Sequence, residues 1–544
     1  MSATGLRTRR WLADPASLRA SGTAWAVAIS VLGSLVWLAA TPHVPDLAAQ
    51  VARARLVDRV GVSAWWPGWF GGVTLPDYSV IGPWVMATIG VRGAGASAAV
   101  AGSVAFARLT SGAFRPRAGA VAFALAGLAD VLDGRITFAI GLALGAWTLV
   151  GLQSVPQTRE GARRRATLIV LGAVGTFLAS PLAGLFLGIA LVAAALTTGT
   201  RWLAVVGAAP LVVLAGAFAL LFPGTGVMPF HPSDIIPAAL GCIGVLVLCP
   251  ERTLRVGAGL VLVTSFAVLA VPSAIGTNIT RIVWVAAAAL AVAHCRLRAL
   301  PAFVLSLSLA IWPVADLTRQ LSRGASPSAS SSFYAPLADA LSRAGAVPSS
   351  GQRLEIVDSG DHWAVADLPD APALARGWDR QADAADNPIF YTAGALDAQT
   401  YHDWLRQLAV GWVAVPNVAH DYASVTEARL VDRGLTYLQL AWASRDWRLY
   451  RVIDATPLAD GATVEGVGGA SLTLAVPAAG DVPLRVRWSA HLTVRTVGGA
   501  PAVGACLRDD AGWLTLVAPR RGTYRVVSRF DPLAPLAGGQ VCVG

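Results

Sequence analysis

Ten acidic residues are spread over the first 318 positions of the 544-residue chain, and chemistry is to be sought among them. Asp46 stands six residues after an apolar run, inside PDLAAQVARARLVDRV. A carboxylate there can act as general base on an acceptor hydroxyl. The plainer alternative is that Asp46 caps the amphipathic helix that follows. Asp58, flanked by Arg55 and Arg59, reads as a solvated partner of those arginines. Asp77 and Tyr78 sit at the bend of GGVTLPDYSVIGP, a Gly/Pro-broken turn that holds a carboxylate rigidly or is turn chemistry alone. ADVLDGRITF brings Asp130, Asp133 and Arg135 together, with the acids at i and i+3 on one helix face. They could bind a cation, orient a sugar or close a helix-end ion pair, and Arg135 is the next candidate for a phosphate contact after Arg281 and Asn278 below. MPFHPSD adds His231 and Asp234. SAIGTNITRIVW adds Asn278 and Arg281 at the start of a helix. A forked guanidinium beside a helix N-terminus suits a phosphate.

No CxxC, HExxH or HxH occurs, and no Walker or GxGxxG loop stands out. The metal requirement stays open, with a divalent cation compatible with the paired acids. Cys506 and Cys542 are the two cysteines of the C-terminal region and pair as a disulfide in an oxidising compartment. Cys242, Cys249 and Cys295 lie in or beside apolar segments.

The elements that must position these groups are mostly apolar. With 55% hydrophobic and 14% charged residues, the chain belongs to the membrane class. Residues 1–318 carry 22 Arg against 10 acids and residues 319–544 carry 20 Arg against 22, so the high pI belongs to the membrane half. Nucleic acid need not be invoked as a partner. Arg charge sets the orientation. With 79–91 as a short re-entrant or surface helix, a model of about eleven transmembrane helices leaves 16 of those 22 Arg on the cytoplasmic side, and the sparse acids converge on the outer side. Ionisable groups at that depth are costly and usually functional.

The expected organisation is a cytoplasmic tail over 1–23 and a polytopic α-helical membrane domain over 24–318. Its long outer loop, 42–92, lies on the membrane through its Trp residues. A flexible Ser/Ala/Pro linker follows over 319–332. Residues 333–455 form an extracytoplasmic α/β region. Residues 456–544 form a β-sandwich-like region, announced by alternating runs such as SLTLAV, WLTLVAP and GTYRVVSRF.

A first helix, an outer loop with an early Asp and an amphipathic helix, many spans and an outer C-terminal domain together resemble the GT-C superfamily of integral membrane glycosyltransferases. More narrowly, PDLAAQVARA, WWPGWFGG, PDYSVIGP, DGRITFAIGLALG, SPLAGLFL, GTNITRI and LARGWDRQADAADNPIFY resemble a set of uncharacterised actinobacterial multi-spanning proteins. These are labelled as transporters or as 6-pyruvoyl-tetrahydropterin synthase-related, although no His cluster suits a pterin reaction. The GT-C resemblance implies a polyprenyl-phosphate-linked sugar as donor, a cell-envelope glycan or glycolipid as acceptor, inverting transfer and Asp46 as base. Asp46 stands alone where members of that superfamily often show paired acids. The competing classes are a transporter or lipid flippase and a non-enzymatic envelope scaffold or glycan-binding protein. Matched broken helices in two halves, which a transporter would show, are not evident.

Overall fold

The computed structural model describes residues 22–153, 156–224, 226–294, 299–368, 371–528, 530–533 and 541–542. The tail with Arg7, Arg9, Arg10 and Arg19 lies outside the described residues, as do Cys295, Arg296 and Arg298.

The first helix, α1 (Gly22–Ala40), gives way after four residues to α2 (Pro45–Val60). Pro45 opens α2 because the first helical N–H has no partner to lose. The short hairpin β1 (Trp65–Trp66) and β2 (Val73–Thr74) follows. Helices α3 (Gly82–Ile89) and α4 (Val91–Leu109) then meet at 110° around Gly90, whose φ is +79°. The expected re-entrant or surface helix over 79–91 thus takes the form of a short helix bent sharply from the next. The apolar run continues through α5 (Pro116–Leu132), α6 (Ile136–Leu152), α7 (Arg159–Ala179), α8 (Pro181–Thr197), α9 (Arg201–Leu221), α10 (Ile235–Leu248) and α11 (Arg252–Ala270). Thr158 and Ser180 start α7 and α8 by accepting from the N–H of Gly161 and Ala183. The stretch Gly276–His294 is irregular: a 3-10 turn, a π segment over Val283–Ala287, then α12 (Ala288–His294). The last helix of this half is α13 (Ala299–Gly324).

Four described helices are long and apolar enough to cross a membrane, or five if the bent α3–α4 pair is one span. The expected count of eleven is not reached on that measure, because several helices have only 17 residues, roughly 25 Å at 1.5 Å per residue. The solvent-facing side of these helices is aliphatic: Val212, Leu220, Val247 and Val263 are each 67–79% exposed. Such a bare apolar surface suits lipid rather than water, so this is a helical membrane protein.

Helix α13 runs past the boundary expected at residue 318, and the stretch read as a flexible linker is folded. Ser328 is fully buried and bonds Asp361, while the Tyr334 hydroxyl donates to Ser328 O at 2.8 Å. Serines meant for solvent find partners instead. Helix α14 (Ser331–Arg343) leads into a sheet ordered β3-β4-β6-β5, made of β3 (Arg353–Ile356), β4 (Val410–Pro416), β5 (Leu438–Ala443) and β6 (Trp447–Val452). Only β3 and β4 are parallel. Helices α15 (Ala364–Asp367), α16 (Arg380–Asp386), α17 (Ala398–Gln407) and α18 (Val425–Asp432) complete the α/β layer. The sandwich pairs a sheet ordered β10-β13-β8-β7 with one ordered β11-β12-β9. Its strands are β7 (Thr463–Gly468), β8 (Ser471–Val476), β9 (Gly480–Arg487), β10 (Leu492–Thr496), β11 (Cys506–Asp510), β12 (Trp513–Ala518) and β13 (Gly522–Ser528). Alternating residues such as Leu474, Leu484, Val494 and Leu516 fill the space between them. Cys506 and Cys542 are bonded, with S–S 2.07 Å.

The Trp-rich first loop does not lie on lipid as expected. Trp65 and Trp69 are buried, Trp65 against the sandwich core and Trp69 with Trp363, Trp412 and Trp447 of the α/β region. The loop is the seam between the two halves. Trp65 N and Ser63 Oγ both bond Ser528 Oγ at 3.0 Å, which fixes the hairpin to the end of β13. Trp84 alone of the four tryptophans is exposed.

Inside the α/β region one guanidinium serves three buried acids. Arg376 lies 2.7 Å from Asp383, 3.3 Å from Glu427 and 3.9 Å from Glu355. Burial alone would raise the Asp383 carboxyl, but Arg376 overrides it and holds Asp383 below the usual range. Burial pushes Glu427 up to about 7 even with Arg376 beside it. Removing the one cation would strand these carboxylates. We expect Arg376→Met to lower stability by about 3–5 kcal/mol, as when one partner of a buried pair is lost. Denaturant unfolding of the detergent-solubilised protein measures it.

Candidate active site

The motif 129–138 closes on the start of α2. Asp130 lies in the last turn of α5, Asp133 caps it, and Arg135 precedes α6. Gly134 joins them with φ +83°, where a side chain would be strained. A Cβ at Gly134 would also stand 2.5 Å from Leu47 N and 3.0 Å from the Asp46 carbonyl carbon. The bare glycine is what lets the two segments touch.

That approach places Arg135 among four carboxylates. It lies 2.9 Å from Asp316, 3.0 Å from Asp133, 3.7 Å from Asp130 and 3.8 Å from Asp46. Asp46 is the most open of the four: its side chain is 29% exposed, against 17% for Asp316 and 2–4% for the other two. Asp46 makes no side-chain capping bond, so the N-cap alternative does not hold; its place in the first turn still suits the helix dipole. Arg135, a candidate for phosphate, is surrounded by carboxylates, which oppose an incoming anion. Asp58 is exposed and forms no ion pair among the described residues; Arg55 instead faces Asp367 and Ala366 O.

Beside this cluster is a cavity of about 860 Å³ between the membrane helices and the C-terminal region. Its apolar side is walled by α8, α9 and α11, through residues such as Leu185, Ile189, Leu211 and Leu260. Val212 also lines it and is 72% exposed, so this side opens onto the lipid-facing surface. Another part of the lining is polar. Asp77, Tyr78, Asn278 and Arg281 converge there, joined by Asp379, Asp386 and Arg487 from the C-terminal region. Arg281 leans toward the Phe138 ring, 5.8 Å from its centre, and makes no ion pair among the described residues. Its charge lies within electrostatic reach of Asp46, Asp130, Arg135 and Tyr78, which sets this part of the cavity beside the carboxylate cluster. The π segment just after it breaks the helix at a place where such irregularities often accompany function.

The polar part is held by Arg53 of α2. Arg53 is buried, bonds Asp379 at 2.6 Å and stacks 3.9 Å over the Tyr78 ring, while Gln50 donates to the Tyr78 hydroxyl at 2.8 Å. Asp379 also accepts from Ala382 N and so starts α16. Asp77 opens into the cavity. Asp77 is itself exposed, yet the crowding of the surrounding fold and then the charge of Asp379 hold its carboxyl above the usual range against the opposing pull of Arg53. From the sandwich, Arg487 donates to Phe70 O at 2.8 Å and lies 3.4 Å from Asp386.

Asp77, Tyr78, Asn278 and Arg281 are therefore brought to one cavity, and Asp46, Asp130, Asp133 and Arg135 to a cluster beside it. His231 and Asp234 join neither: Asp234 accepts from His231 N at 3.4 Å in a local 3-10 cap, and His231 is exposed. Among the described residues no group of three or more His, Cys, Asp or Glu is placed to hold a metal ion. Sequence reasoning missed Arg53, Gln50, Asp379 and Arg487. The density of Arg, Asp and Trp in LARGWDRQADAADNPIFY is the one signal that could have pointed to Asp379.

No family model matches the sequence, and no curated protein matches it. Among solved structures the chain is similar to arabinofuranosyltransferase AftD from Mycobacteria at 14% identity and a TM-score of 0.43, covering 93% of this chain. The chain spans about 60% of the length of that AftD structure. It is also similar to the Archaeoglobus fulgidus oligosaccharyltransferase at 12% identity and a TM-score of 0.43, over 72% of this chain and 69% of that one. ArnT from Cupriavidus metallidurans, bound to undecaprenyl phosphate, matches at 11% identity and a TM-score of 0.46, over 80% of this chain and 99% of that one. These TM-scores lie below 0.5, so the likeness is one of outline, and the site rests on its own geometry.

Gly134→Ala should force α2 and the α5–α6 corner apart, costing about 1–3 kcal/mol for a non-glycine residue in the left-handed region, with further loss from the backbone clash. A lowered midpoint of thermal unfolding, unchanged in Gly127→Ala where no atom lies within 4 Å of the added carbon, is the expected result.

Proposed function

We propose that this chain is an inverting membrane glycosyltransferase. It takes a sugar from a polyprenyl-phosphate donor and transfers it to a cell-envelope glycan or glycolipid. The observation that carries the reading is the cavity, apolar where it opens to lipid and polar where Arg281 stands beside the Asp46 cluster. A prenyl tail suits the apolar wall, and the phosphate suits Arg281. The guanidinium fork provides charge-assisted bonds that strengthen as the phosphate leaves. The acceptor hydroxyl attacks the anomeric carbon from the side opposite the phosphate. The carbon–oxygen bond to phosphate breaks, its electron pair departs with the lipid phosphate, and the hydroxyl proton passes to Asp46. Among the four acids around Arg135, Asp46 has the access and the loosest pairing, as a base requires. Arg135 positions it.

The site faces outward in this reading, on the extracytoplasmic side of the cytoplasmic membrane. The N-terminus and the TREGARRR loop are cytoplasmic, and the C-terminal regions are outside. A membrane-impermeant thiol reagent applied to intact cells should label Ser349→Cys, and should label Glu160→Cys only after permeabilisation. The reverse at either position removes the orientation.

Two substitutions test the chemistry. Asp46→Asn should abolish transfer and leave donor binding nearly intact. Arg281→Ala should weaken donor binding roughly 10- to 150-fold, the loss of ~1.5–3 kcal/mol for a charged hydrogen-bond partner. Arg281→Lys recovers part of it, because the fork is lost. A flippase or a scaffold would keep its activity in Asp46→Asn, and full binding of a polyprenyl phosphate by Arg281→Ala would place the phosphate elsewhere.

A further inference from the structure

The polar part of the cavity holds more than a phosphate needs. Arg53 is spent on Asp379, and Arg487 lies on Asp386. Among the described residues that line the cavity, Arg281 is the cation left for the phosphate. Asp77 is left as well: it lines the cavity and forms no ion pair among the described residues. It stands beside Asp379, across the seam between the first loop and the C-terminal region. The half-buried Trp488 lines the same cavity and presents aromatic surface, whereas Trp65 is buried and the Tyr78 ring is covered by Arg53. Paired carboxylates that accept from adjacent hydroxyls, beside an aromatic face that meets C–H groups, are the chemistry of a sugar ring.

Resting on the donor reading, we infer that Asp77 and Asp379 form the subsite that reads the donor's sugar, and that this sugar is a neutral polyhydroxylated ring. A uronic acid or a phosphorylated ring would bring a second anion against Asp77, which has no cation of its own, while Arg53 and Arg487 are already taken up by Asp379 and Asp386. Gly224 presses on Asp77: a Cβ there would stand 2.5 Å from Asp77 Oδ2. The subsite is complete only with the C-terminal region in place, since Asp379 comes from one half and Asp77 from the other.

The full chain in lipid nanodiscs would be titrated with three probes: bare undecaprenyl phosphate, the same lipid phosphate carrying a neutral pentose or hexose, and one carrying a uronic acid. In the wild type the neutral sugar should tighten binding roughly 10-fold over the bare lipid, as one or two charge-assisted bonds would. The uronic acid should add nothing. Asp77→Ala should erase the gain while the bare lipid binds as before. Arg281→Ala should weaken all three probes. Gly224→Ala, which leaves Asp77 in the sequence but displaces it, should reproduce the Asp77→Ala result and guards against a folding artefact. An undiminished gain in folded Asp77→Ala overturns the subsite. So does a preference for the uronic lipid, or a loss of bare-lipid binding in Asp77→Ala, which would make Asp77 part of the phosphate site. A wild type that ignores bare undecaprenyl phosphate overturns the donor reading itself, and the subsite with it.

Discussion

One guanidinium shared by four carboxylates sets the geometry of the membrane half. Arg135 draws together the start of α2, the α5–α6 corner and α13, segments far apart in sequence. The acids outnumber the cation, so the arrangement repels further anions and favours whatever brings protons or positive charge. Arg281 lies within electrostatic reach of the same cluster yet faces the cavity. The result is a boundary: carboxylates behind, one cation in front, and the lipid-facing cavity beyond. The same device recurs around Arg376, where one buried cation holds three acids in the α/β region. In both places a buried charge is worth keeping only while its partners stay, because removing one leaves an uncompensated ion.

The C-terminal regions are part of the site rather than an appendage. Arg53, Trp65 and the 69–72 turn of the first loop are covered by residues from the α/β layer and the sandwich. Phe70 is held at φ +56°, and Gly71 and Gly72 follow at +80° and +133°. That run is costly for a phenylalanine, and it presents Phe70 O and Gly71 O to Arg487. A Cβ at Gly72 would meet the Trp65 ring at 2.2 Å, so the turn and the hairpin fit only as they are.

Much of the scaffold was legible, for reasons that are physical. Apolar runs of helical length became helices, and strict alternation from residue 471 onward became β8, β9, β10, β12 and β13. DGR was legible because a glycine between an acid and a base at a helix corner has few other uses. The seam was not. A Trp prefers the membrane interface and the protein core for the same mixed polarity, so Trp65 and Trp69 could not be assigned to one by composition. Ser/Ala/Pro composition suggests a linker only while the hydroxyls lack partners, and Asp361 supplies one to Ser328. Arg53 looked like one of several arginines on an amphipathic helix, because nothing local marks a residue whose partner lies in another domain. His231 misled in the opposite way: its partner is three residues on.

The contact between Arg53 and Asp379 spans 326 positions of the chain. A ribosome adds about 5–20 residues each second, so α2 emerges on the order of tens of seconds before its counter-charge exists. During that interval a guanidinium destined for burial must stay hydrated at the bilayer edge, and the hairpin carrying Trp65 has no sandwich to enter. The early product is a membrane half with an open, wet seam. Quality control acting on this chain would therefore meet its most vulnerable form at the middle of synthesis, with the last-made third of the protein supplying the closure.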